Sequence, residues 1–215
     1  MKRPGRRAGP AVALLLVLAG LAAAPGCTVT LGRPFPAENL PALRIGVTTE
    51  ADLQALFGEP AFRRVLQSGD FEGTILGWGY GQSTSSANKG RELHVETVDG
   101  IVNAFVFASS LEPDATDFDL NLAGQLHEGT STLADAEKLL GAADGRLRLP
   151  SSLLFDWFGQ MKALQPPAEA TQAIVYAFLD LTVQQESANR HVKLLALFAD
   201  GNGVVVAVRR FEGTR

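Results

Sequence analysis

Two periodicities alternate along this chain. Leu53, Leu56 and Phe57 recur at helical spacing and are followed by Gly58 and Pro60, after which the apolar pattern changes to a period of two. The spacing predicts a short helix from Thr49 to Gly58. Thr49 is its N-cap, Asp52 completes a capping box, and Gly58 sits where a left-handed C-cap residue is wanted. Two turns of helix are too few to persist on propensity, so packing must hold it. Residues 38–44, with Leu40 and Leu43 inward, predict a shorter helix just before. Ala61–Gln67, Thr74–Tyr80, Arg91–Thr97 and Ile101–Ser109 predict four strands, with Val98-Asp99-Gly100 as a tight hairpin and Gly81 to Gly90 as a looser one. Thr74–Tyr80 sends Leu76, Trp78 and Tyr80 to one side, and small Gly77 and Gly79 to the other to allow close packing. Ile101–Ser109 is apolar on both sides and predicts a central strand.

The layout then returns at an offset of 83 residues, which pairs Gly46/Gly129, Thr49/Thr132, Ala51/Ala134, Asp52/Asp135, Leu56/Leu139, Gly58/Gly141, Arg63/Arg146 and Leu66/Leu149. Thr132 and Asp135 repeat the capping box, and Ala136, Leu139 and Leu140 repeat the apolar stripe. Strands Ala173–Val183, His191–Ala199 and Val204–Phe211 follow, the last two joined by an Asp200-Gly201-Asn202-Gly203 turn. Residues 150–168 have no counterpart in the first copy. Within them Leu153, Leu154, Trp157, Phe158, Met161 and Leu164 form an amphipathic helical stripe between Ser151 or Ser152 and Pro166-Pro167. The fold class expected is α+β. Two tandem duplicated α-α-β units, each with two short helices and an antiparallel sheet of about four strands, join into one curved sheet. Helices cover one side and a concave surface is left on the other.

The first residues read as an address. Lys2, Arg3, Arg6 and Arg7 precede an apolar run from Ala11 to Ala24 that is too short for a transmembrane helix, and Cys27 follows directly. Ala24-Pro25-Gly26-Cys27 resembles a bacterial lipobox, with leucine replaced by Ala24, and this makes Cys27 the expected site of lipid attachment, palmitate included. The chain holds one cysteine, which excludes an internal disulfide. Thr28 after the cysteine implies, by the same resemblance, the outer membrane. Residues 1–26 are thus a lipoprotein signal peptide, 27–37 a tether extended by Pro34 and Pro36, 38–110 the first repeat, 111–119 a linker and 120–213 the second repeat. Losing residues 1–26 removes four positive charges and no negative ones from a net of −4, leaving −8. That balance argues against nucleic acid as a partner.

The repeated stretch Gly46-Val47-Thr48-Thr49…Asp52-Leu53…Leu56…Gly58…Pro60 closely resembles the signature of the BamE (SmpA/OmlA) family of small outer-membrane lipoproteins. The wider group resembles the tandem β-lactamase-inhibitor-protein fold. The second copy departs from the signature where Ala143 replaces the proline. The resemblance implies a periplasm-facing lipoprotein that binds partner proteins in envelope integrity or outer-membrane protein assembly. The alternative is an inhibitor or binding module for an envelope or secreted enzyme.

Candidate chemistry is sparse. The sequence shows no G-x-S-x-G, no H-E-x-x-H and no phosphate-binding glycine loop, so the expectation is a non-enzymatic protein with no cofactor and no small-molecule substrate. His94 between Glu92 and Glu96 has the composition of a zinc site, but alternation on the wet face of a half-exposed strand accounts for it. Glu112, Asp114, Asp117 and Asp119 lack the EF-hand layout and read as a solvated acidic linker. Candidate partner contacts are the aromatics Trp78, Tyr80, Trp157 and Phe158. The stripe of residues 151–165 is either a recognition helix or a helix that packs on the protein's own sheet, and amphipathic helices mostly do the latter.

Overall fold

The two α-helices start in the same way. In α1 (Glu50–Phe57) the Thr49 hydroxyl accepts from the Asp52 N–H while the Asp52 carboxylate accepts from the Thr49 N–H at 2.9 Å, and Thr132 and Asp135 repeat both bonds in α2 (Leu133–Leu140). Both capping boxes expected from the sequence are therefore formed. The closing glycines Gly58 and Gly141 have positive φ as expected, at 78° and 91°, but their ψ values of −168° and −175° are extended. The chain leaves each helix straight into a strand, so a left-handed cap is not formed. The helix expected over 38–44 is a tighter 3-10 turn, Ala37–Ala42, and a matching turn spans Leu120–Gln125.

The computed structural model describes residues 29–68, 71–83, 88–153, 164–184 and 187–214. Its strands are β1 (Val29–Gly32), β2 (Phe62–Ser68), β3 (Phe71–Ser83), β4 (Asn88–Val98), β5 (Ile101–Ser109), β6 (Gly145–Arg148), β7 (Gln172–Gln184), β8 (Ser187–Ala199) and β9 (Val205–Thr214). They form one open antiparallel sheet of nine strands in the order β1-β3-β4-β5-β6-β7-β8-β9, with β2 paired to β3 on the same side as β1. β5 is central and buried on both faces, as its sequence predicts. The turn between β4 and β5 has positive φ at both Asp99 (52°) and Gly100 (76°), the twist a two-residue hairpin requires.

The helix-side groups that make hydrogen bonds recur at the offset of 83, while their partners in the sheet lie further apart in sequence. Arg44 N–H donates to Thr48 Oγ1 and His127 N–H to Ser131 Oγ, each at 2.9 Å. Gly46 N–H reaches Val102 O at 2.8 Å, and Gly129 N–H reaches Val205 O at 2.7 Å. Trp78 donates its indole N–H to Gly58 O at 3.0 Å, and Tyr176 donates its hydroxyl to Gly141 O at 2.9 Å. Each short helix is thus bonded at its start to a hairpin and at its end to an aromatic of the sheet.

The helices lie on one face of the sheet over two separate apolar clusters. One gathers Phe35, Leu53, Phe57, Trp78, Leu93 and Phe107, and the other Leu126, Ala136, Ile174, Tyr176, Leu195 and Val205. The opposite face was expected to be an open concave surface. It is filled instead. Ile75, Val106, Leu147, Val175, Leu194 and Phe198 form a single cluster there, and Leu153 and Leu164, the described ends of the 150–168 insertion, pack into it. β4 and β7 come within 8 Å of each other at Cα although two strands separate them, because the sheet curls over this cluster. Alanines 104, 108, 173, 177, 196 and 207 on the inner face make the curl sterically cheap.

Two further expectations are corrected. The tether over 27–37 is not free past Thr28: Val29–Gly32 pairs with Tyr80–Ser83 of β3, and Phe35 and Ala37 are core residues. The acidic linker is solvated only in part: Glu112, Asp117 and Asp119 are exposed as expected, but Asp114 is half-buried and side chains of the linker make fixed contacts. Asp114 pairs with Arg91 at 2.9 Å, Asp117 pairs with Lys193, and Asp119 accepts from the Asn121 N–H at 2.9 Å.

Candidate functional site

The sheet has two outer edges, and they differ in chemistry. β9 presents Arg209, Arg210 and Glu212, charges of the kind that discourage a further strand from adding. The other edge, made by β1 and β2, carries Arg63 and Arg64 but also displays large apolar side chains. Among the described residues six large apolar side chains are exposed, and four of them, Val29, Leu31, Phe62 and Val65, lie on these two short strands. Concentration on one edge is informative where scattered exposure would not be.

Local sequence explains the display. Register places Phe62 opposite Gly77, whose missing side chain leaves room for the ring: a Cβ there would stand 2.1 Å from it. The ring meets His94 edge-on at 5.4 Å, and the Arg64 guanidinium stands 5.6 Å from its centre. Val65, on the other face of β2, is 58 % exposed. Beside β2 lies a groove of about 570 Å³ between α1 and the 58–61 turn, rimmed by Glu50, Gln54, Glu59 and Arg63. Arg63 grips Glu50 through both guanidinium nitrogens, at 2.5 and 3.2 Å, and Thr97 donates to the same carboxylate at 2.6 Å. The Arg63 hydrogen bond, against some cost of burial, holds the Glu50 carboxyl below its usual range. This bracket ties β2, α1 and β4 together and fixes the rim. Arg146, the counterpart of Arg63, reaches Glu137, one turn further along its helix.

The residues predicted as contacts are dispersed. Trp78 forms the floor of the groove with only 4 % of its surface exposed, stacked at a tilt on Phe57 at 5.8 Å, so it supports the site from beneath. Tyr80 is half-buried further along β3, where its hydroxyl accepts from Gln82 Nε2 at 2.8 Å and Arg91 stands 5.9 Å from its ring. Cys27, Trp157 and Phe158 lie outside the described residues. Phe62 and Val65 were not singled out from the sequence. The signal for them was present in the alternation of Phe62, Arg63, Arg64 and Val65 on a short strand next to a glycine-rich one, but nothing local says which strand ends at the edge.

The Glu92, His94 and Glu96 set is not a wet face. Glu96 is fully buried under Gly73, and it accepts the Ser152 N–H at 2.7 Å and Asn103 Nδ2 at 3.0 Å. Burial pushes its carboxyl up. Its task is to hold the start of the 150–168 insertion against the inner face. His94 and Glu92 are 3.7 Å apart. Among the described residues no group of three or more His, Cys, Asp or Glu is placed to hold a metal ion, and no helix is long and apolar enough to cross a membrane. A second carboxylate, the half-buried Asp144, joins β5 to β7 where β6 begins. Its carbonyl accepts from Phe107 N–H and its side chain from Ala177 N–H, both at 2.9 Å, and burial raises its pKa to about 7.

No family model matches the chain, and no curated protein matches it in sequence. Among solved structures, the chain is similar to a "putative beta-lactamase inhibitor protein" from Streptococcus mutans, at 11 % identity with a TM-score of 0.42, covering 83 % of this chain and 98 % of that one. The BamE-type resemblance therefore rests on the residues of the repeated stretch alone.

Proposed function

We propose that this chain is a non-enzymatic lipoprotein, held at the periplasmic face of the outer membrane by lipid on Cys27, that works by binding a partner protein of the cell envelope along its β1–β2 edge. The observation that carries the binding role is the exposed pair Phe62 and Val65 on β2, within the apolar display of that sheet edge. An unpaired edge offers main-chain hydrogen bonds to an incoming strand, and Phe62 and Val65 offer it side-chain anchors. The address is supported by the basic, apolar and Cys27 order of the first residues, and the envelope role by the BamE-like signature. The helix-side bonding groups that recur at an offset of 83 residues support a tandem duplication, with 38–110 and 120–213 as its units.

Fractionation of the native host tests the address. The full-length chain is expected with outer membranes, and Cys27→Ser is expected in the soluble periplasm; unchanged membrane partition of that variant would refute lipid anchoring. For the partner, Val65→Asp should abolish a cross-linked adduct while leaving the melting temperature in place. A hydrolase in that adduct would convert the reading to the inhibitor class.

A further inference from the structure

β1 begins two residues after Cys27, and it is already part of the sheet: Val29 pairs with Ser83, Thr30 with Gln82 and Leu31 with Gly81. Alternation puts Val29 and Leu31 on one face of the strand and Thr30 on the other. Val29 is 64 % exposed and Leu31 80 %, the highest among the exposed large apolar side chains. No described residue covers them. Beside Leu31 lies an open hollow of about 230 Å³ floored by Gly79 and Gly81, and a Cβ at Gly79 would meet nothing within 4 Å. Exposed Arg33 and Lys89 flank the same end of the sheet.

On the reading that Cys27 carries lipid, we infer that β1 is a membrane-contact strand, with Val29 and Leu31 pressed into the lipid interface so that the domain is clamped to the bilayer rather than swinging on a tether. Chain length forces the proximity. At about 3.3 Å per residue, Val29 stands within ~7 Å of Cys27 and Leu31 within ~13 Å. The headgroup region is roughly 5–7 Å deep on each side of the hydrocarbon core, so both side chains fall at or near it. Apolar side chains favour that boundary, and Arg33 and Lys89 suit anionic headgroups there. The clamp also places the partner-binding half of the edge. Val65 pairs with Thr74, nine residues along β3 from Ser83 and on the opposite face from Val29 and Leu31, so Val65 stands away from the lipid contact and remains open to a partner.

The test uses the mature, full-length lipoprotein in vesicles of phosphatidylethanolamine and phosphatidylglycerol. With Cys27 acylated, a new cysteine is the sole free thiol, so Val29→Cys, Thr30→Cys, Leu31→Cys and a distant exposed site, Val47→Cys, each accept one nitroxide label. Collision with oxygen against collision with a nickel chelate reads immersion. The clamp predicts alternation: labels at 29 and 31 favour oxygen, while those at 30 and 47 favour the nickel chelate. A steady decline of immersion from 29 to 31, as for a flexible tether, or aqueous labels at both 29 and 31, would overturn it. Intact mass of the same samples separates the two readings. Missing acyl mass on Cys27 removes the anchor itself, whereas acylated protein with aqueous labels removes only the clamp.

Discussion

Asp144 should make the fold less stable as pH rises through neutrality. In the folded chain burial raises its pKa from 3.8 to about 7. The unfolded chain returns it to the ordinary range. Between those values the folded state holds a proton that the unfolded state has lost, so unfolding releases one proton and stability falls as pH rises, by as much as about 1.4 kcal/mol per unit. The contribution is full below the unfolded pKa and gone above the folded one, and a displacement of about three units corresponds to ~4 kcal/mol. Glu50, Asp52 and Asp135 have the opposite sign. Their carboxyls are lowered by Arg63, Thr49 and Thr132 respectively, so their contributions are lost only in acid. Asp144→Asn isolates the effect, because the amide oxygen can still accept the Ala177 N–H. Urea unfolding followed by tryptophan fluorescence should show the two proteins alike near pH 4 and the variant ahead by a few kcal/mol, about 4 at most, by pH 8. A difference that stays constant from pH 5 to 8 would refute the argument.

Three further outcomes are expected. Thr49→Ala and Thr132→Ala each remove a cap acceptor and should each cost about 1 kcal/mol in urea unfolding, with additive losses because the helices pack on separate clusters. Tyr176→Phe keeps the ring and deletes only the donor to Gly141 O, so its thermal melt should show a loss of about 1 kcal/mol; Trp78→Phe deletes the donor to Gly58 O and also removes one ring of a buried indole, so its loss should be larger. Glu96→Ala leaves the buried Ser152 N–H without its acceptor and should cost about 2 kcal/mol in urea unfolding.

Local chemistry was legible in the sequence wherever one turn of chain decides it. Thr49, Asp52, Thr132 and Asp135 act within three residues of each other, and the Asp99-Gly100 hairpin within two, so their patterns could be read directly. The strand over Ile101–Ser109 was legible because both of its faces are apolar. What the sequence hid was tertiary. Glu96 alternates with Val95 like any outward residue, and only the return of Ser152 over the inner face makes it a buried anchor. Asp114 and Asp117 read as solvated until Arg91 and Lys193, from distant strands, reach them. Trp78 looked like an interface anchor because indole rings often are, yet its N–H belongs to Gly58. The edge itself depends on strand order, and nothing near Phe62 and Val65 records that, among the described residues, β2 has no outer neighbour.

The central claim is that the β2 edge receives a partner protein at the membrane, and site-specific photocrosslinking in the native host tests it most directly. A photoreactive residue at Val65 of the full-length lipoprotein, compared with one at the more exposed Val47, should give a discrete envelope-protein adduct from 65 and none from 47. It should vanish when Phe62→Asp is added. An adduct that forms equally from both positions, or survives Phe62→Asp, would contradict the account.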